Sequence, residues 1–177
     1  MTDHNVWNIY QSISADLILA KELLYNVCNL ECSQPEAEAE SAEYSAYRFK
    51  INNKSICYRL AKTTPTKNGQ FVTLWKRNNK GIIEPFDFSD IIDFVIVSVQ
   101  KENNFGQFIF PKSVLLDKGI FSTSKKEGKR ATRVYPSWDI TKSKQAQKTQ
   151  EWQLNYFLDL SDKESAISRT KLLFGIQ

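Results

Sequence analysis

A chain of 177 residues, 41% hydrophobic and 25% charged, can bury a core without disulfide or metal staples. No run approaches the roughly 18 consecutive apolar residues of a membrane span, and the start MTDHNVWNIY has no basic segment leading into an apolar one. The single histidine, His4, excludes most His-based triads and His metal sites, while three cysteines (Cys28, Cys32, Cys57) without framework spacing exclude a disulfide scaffold and fit a reducing, cytoplasmic compartment.

Val6, Ile9, Ile13, Leu17, Ala20, Leu24, Val27 and Leu30 recur at helical spacing, which predicts one amphipathic helix over 5–31. Cys28 and Cys32 are four apart and are expected to share a face there as small apolar residues. SQPEAEAE reads as a loop leading to a short helix over 38–45. AYRFKIN (46–52) and SICYRLAKT (55–63) read as strands around an Asn-rich turn, and FVTLWKR (71–77) as a strand after the turn TTPTKNGQ. Residues 84–92 read as a loop and the apolar run 94–99 as a buried central strand. NNFG turns that strand back into 107–111. Ser113 then caps a helix over 114–118 that Gly119 ends. A strand over 131–135 ends at Pro136, and helices follow over 143–158 and 162–173. The expected fold class is α+β, with a mixed central sheet flanked by helices. The expected organisation is a single domain over 1–177, with its core at 40–158 and a helical tail at 143–173.

Charge is unevenly placed. Residues 31–43 hold five glutamates and no base, residues 59–80 hold six bases and no acid, and 125–133 read KKEGKRATR. A basic surface of this kind suits an anionic partner. The stretch RLAKTTPTKNGQFVTLWKR interleaves Arg59, Lys62, Lys67, Lys76 and Arg77 with Trp75, so charges can neutralise phosphates while rings stack on bases. Gln107, Lys112, Lys129, Arg130 and Arg133 form a second basic cluster, with Tyr135 as a further stacking ring. There is no Walker loop, GxGxxG or paired CxxC. The acids Glu40, Glu43, Asp87, Asp90 and Asp93 offer one route to cleavage: Glu43 and Asp93 on a Mg²⁺ ion, with Lys62 or Lys112 beside them.

The segments KTTPTKNGQFVTLWKR (62–77), FGQFIFPK (105–112), GKRATRVYPSWD (128–139) and QAQKTQEWQLNYF (145–157), with ESAEY (40–44) upstream, resemble the MepB family. This bacterial family is named for a member encoded beside a multidrug efflux pump. The resemblance implies a fold similar to PD-(D/E)XK nuclease-like proteins. Those nucleases carry an acid on one core strand and an (Asp/Glu)-x-Lys triplet on the next, whereas here Arg59 and Lys62 stand where acids are wanted. The leading expectation is therefore a nucleic-acid-binding protein without efficient catalysis, without a cofactor and without a membrane partner. The alternatives are a divergent Mg-dependent nuclease and a protein that binds a small anionic ligand or drug.

Overall fold

A computed structural model of the chain describes residues 6–8 and 12–177. Its central sheet has six strands: β1 (Glu36–Ala37), β2 (Tyr47–Ile51), β3 (Lys54–Leu60), β8 (Phe94–Lys101), β9 (Asn104–Pro111) and β11 (Phe157–Asp159), in that spatial order. The β3–β8 pair is parallel and every other pair antiparallel, so the sheet is mixed, in agreement with the expected class. The β2–β3 hairpin turns on Asn52 and Asn53, with φ of 46° and 64°. Positive φ at both positions is the two-residue geometry that matches strand twist, and asparagine tolerates it. β8 reads FVIVSVQK; both of its faces are buried through Val99, which is why it lacks polar alternation.

Each face of the sheet supports its own apolar layer. On one face Ile56, Tyr58, Ile96 and Ile109 meet Leu17 of α1 (Ala15–Ala20), Leu24 of the π-helical turn after it, and Ala166 of α4 (Lys163–Phe174). On the other, Cys57, Val95, Val97, Phe108 and Phe110 meet Leu115 of α2 (Lys112–Asp117). That second layer also takes Val72 of a three-stranded sheet, β10-β5-β4, made of β4 (Lys62–Thr63), β5 (Gln70–Thr73) and β10 (Ala131–Val134). Trp152 of α3 (Lys144–Gln153) packs against the same layer. β6 (Trp75–Arg77) and β7 (Ile83–Pro85) form a separate ribbon.

A hydrogen-bonded chain of side chains crosses the first layer. Tyr25 Oη donates to Gln107 Oε1 at 2.9 Å, and Gln107 Nε2 donates to Ser98 Oγ at 2.9 Å. Tyr58 Oη lies 2.6 Å from Ser98 Oγ and 2.5 Å from Asp16 Oδ2. A phenol carries one proton, so Tyr58 donates to the carboxylate and accepts from the serine. Tyr25, Tyr58, Ser98 and Gln107, all buried, thereby satisfy one another's polar groups.

Several elements differ from expectation. The helix expected over 5–31 is short: α1 and its π turn end at Tyr25, and Asn29 takes the left-handed conformation at φ 54°. Its expected start and His4 lie outside the described residues. Cys28 and Cys32 therefore do not share a helix face; Cys32 bridges to Ile51, and all three cysteines are buried and none forms a disulfide. Burial pushes the Cys32 thiol up to about 12, against a smaller lowering by Lys21. The strand expected over 71–77 breaks at Leu74, whose N–H turns to Arg130 C=O at 2.8 Å, so β5 and β6 join different sheets. The tail expected to be helical over 143–158 ends as the edge strand β11. No helix among the described residues is long and apolar enough to cross a membrane.

Candidate functional site

Five of the nine basic residues expected on a polyanion face are engaged by the protein itself. Arg59, 1% exposed, is the clearest correction. It lies on the second face of β3, donates to the backbone carbonyls of Thr73 (3.1 Å) and Tyr58 (2.9 Å), and pairs with Glu38, which also takes Arg48. Gln107 is likewise fully buried, inside the polar chain described above. Neither side chain can reach a large ligand. Arg77 pairs with Glu40 at 2.6 Å and covers Trp75, Arg130 pairs with Glu127 at 2.8 Å, and Lys112 donates to the Asp90 carbonyl.

Lys76 sits between Asp87 and Asp90, 2.8 Å from each. Desolvation raises the Asp87 carboxyl, but hydrogen bonds from Lys76 and Ser89 outweigh it and hold the group down at about 2. A carboxyl lowered in the folded state stabilises the fold above its ordinary value of 3.8, and that contribution is lost as pH falls through about 2. Urea midpoints measured between about pH 4 and pH 2 are expected to fall less steeply in Asp87→Asn than in the parent protein. Parallel curves would show that this carboxylate does not carry the linkage.

The remaining bases converge. Between β10 and α3 runs an open groove of about 490 Å³, into which Lys67, Lys118, Lys129 and Arg133 project, with Tyr135 and Trp152 in its walls and no acidic residue among those lining it. No carboxylate among the described residues lies within ion-pair distance of Lys67, Lys129 or Arg133. The loop carrying Lys67 is tied down by Arg133, which donates to Asn68 C=O (3.2 Å) and Thr64 Oγ1 (2.8 Å). The same loop ends at Gly69, where φ is +74° and a Cβ would stand 2.6 Å from the Tyr135 ring, so glycine lets loop and ring touch. Ser143 caps α3 by accepting from Ala146 N–H at 3.1 Å, and both residues line the groove. The positive end of a ten-residue helix therefore adds to the field of the four bases.

A basic–aromatic row continues from the groove across the three-stranded sheet. Arg133, Phe71 and Lys62 are cross-strand neighbours. The Arg133 guanidinium lies 5.8 Å from the Phe71 ring, and Lys62 Nζ lies 4.9 Å from the ring of Tyr44 above it. Lys67, Lys129, Arg133 and Tyr135 thus gather as one site with Lys62 beside them, whereas Trp75, Lys76, Arg77, Lys112 and Arg130 do not line it. Lys118, Trp152 and the start of α3 complete the site and were not anticipated. A lysine next to the helix-ending Gly119 gives no hint in sequence of facing Lys129.

The acids do not assemble. Glu43 is exposed in a single 3₁₀ turn, and Asp93 immediately precedes β8, accepting from Ser55 N–H at 2.8 Å. Among the described residues, no three His, Cys, Asp or Glu side chains converge as metal ligands.

A family model described as MepB-like matches residues 38–159. The chain belongs to the MepB-like family. It is similar to a solved structure described as the crystal structure of MepB, with 35% identity and a TM-score of 0.73 over 82% of this chain and 97% of that one. No curated protein matches it. Within the MepB-like region, three of the four segments that carry the resemblance border the groove: 62–77 through Lys67, 128–139 through β10, and 145–157 through α3.

Proposed function

We propose that this MepB-like protein binds nucleic acid through the groove between β10 and α3. One observation carries the reading: four bases surround a concave surface with no acid in its lining, while the basic residues elsewhere in the hairpin are largely neutralised at home. Phosphates supply the counter-charge that Lys67, Lys129 and Arg133 lack, and releasing the counterions of the nucleic acid drives binding. The Arg133–Phe71–Lys62 row extends the track beyond the groove, so a strand can follow it. Cleavage has less support, since Glu43 and Asp93 sit on separate elements and Asp93 is occupied by Ser55 N–H.

Fluorescence anisotropy with labelled DNA and RNA oligonucleotides tests this across a salt series. Affinity is expected to fall with a log–log slope of about −2 to −4, the value for three or four phosphate contacts. No binding to any oligonucleotide at low salt overturns the reading. The groove volume of about 490 Å³ also lies in the range of small-molecule sites, which makes a small anion the second reading. Equal affinity for a mononucleotide and an oligonucleotide would favour it.

A further inference from the structure

β10 is an outer strand of its sheet, and part of its free edge forms the groove floor. Ladder alternation fixes which backbone groups face outward. Leu74 N–H bonds to Arg130 C=O, so residues 130, 132 and 134 turn their backbone groups toward β5, and 131, 133 and 135 turn theirs away. Gln153, fully buried, fills one step of that outer edge as a neighbouring strand would. Its Nε2 donates to Arg133 C=O at 2.9 Å, and its Oε1 accepts from Tyr135 N–H at 2.8 Å. One step earlier, Ala131 C=O and Arg133 N–H point the same way, and no side chain among the described residues takes them. Ala131 and Arg133 both line the groove.

We infer that this open step takes the edge of an unpaired nucleobase, so that the groove holds single-stranded rather than double-stranded nucleic acid. The inference rests on the nucleic-acid reading above and narrows it. A carbonyl and an N–H two residues apart on one strand edge offer an acceptor beside a donor, the complement of an amino group beside a ring nitrogen on adenine or cytosine. In a duplex the Watson–Crick edges of both bases are already paired, and only the adenine N6/N7 edge stays open, at the floor of the major groove. The Tyr135 ring in the groove wall, backed by Gly69, offers a plane on which a base stacks. The four bases around the floor reject an uncharged strand and suit the phosphates on either side of the seated base.

The test compares four labelled probes at matched salt: a deoxyadenosine homopolymer, an abasic strand of the same length, the homopolymer annealed to its complement, and polyglutamate. The homopolymer is expected to bind at least about tenfold tighter than each of the others, since one seated base supplies stacking and edge contacts that phosphates cannot. Equal affinity for the abasic strand or the duplex overturns the inference and leaves the nucleic-acid reading standing. Polyglutamate binding as tightly as the homopolymer also overturns it, because an acidic peptide adding to the β10 edge then explains the site. Failure of all four probes to bind removes the underlying reading and this inference with it.

Discussion

Replacing Lys67, Lys118 and Lys129 together by alanine is expected to weaken oligonucleotide binding by roughly a hundredfold and to flatten the salt dependence by about two to three units of slope. The three side chains are exposed and come from three separate segments that meet only in the folded protein. None supports the fold through a buried ion pair: Lys118 lies 3.7 Å from the exposed Asp117 and 5.6 Å from the Trp152 ring, and the other two have no carboxylate partner. Loss of binding should therefore come without a large change in melting temperature. Arg133 is left in place because it anchors the 64–68 loop, and its removal would mix disorder of Lys67 with loss of charge. The companion variant Lys76→Ala, whose ammonium is already neutralised by Asp87 and Asp90, should change affinity by less than about threefold. If the two variants weaken binding equally, affinity follows net charge and the groove has no special part in it.

Arg59→Met is expected to act the other way, on stability and not on binding. Removing the guanidinium leaves the Thr73 and Tyr58 carbonyls without their donor and leaves Glu38 with Arg48 alone. Breaking one side of a buried ion pair costs about 3–5 kcal/mol. For a chain of this size that lowers the melting temperature by about 6–20 °C. Arg59→Lys keeps the charge but not the planar fork, so it should recover only part of the loss. Calorimetry of both variants, with Glu38→Gln as the third corner of a cycle, measures the coupling. Melting within about 2 °C of the parent for Arg59→Met would mean that the pair contributes nothing.

Comparing Arg59 with Lys67 shows where the sequence was readable. Both stand in one basic hairpin, and composition treats them alike. Strand alternation sets Arg59 opposite Tyr58, yet both faces of β3 are covered, and its partner Glu38 arrives from 21 residues upstream. Local pattern reports which positions share a face, not what lies against that face. The long elements with strong signals were legible: the run at 94–99, the paired asparagines at 52–53, and the helices begun by Ser143 and Asp162. Short edge pieces were not. β11 has three residues, too few to show alternation within a helical tail, and the break at Leu74 leaves no mark in a run of β-formers. In the same way, Lys129 and Arg133 could be grouped from proximity along the chain, but Lys118 joins them only because the fold brings the end of α2 to the groove.

The neutralisation of one end of the hairpin has a consequence for encounter. Glu40, Asp87 and Asp90 quench Arg77 and Lys76, while Lys62, Lys67 and Arg133 at the other end stay unquenched. The molecule therefore carries a lopsided field, stronger on the groove side than its formal charge of +4 suggests. Such a field acts as a torque at distances of about a Debye length, turning the groove toward a polyanion before contact. The acidic residues far from the groove thus help to aim it, and raising ionic strength should slow arrival sooner than it hastens departure.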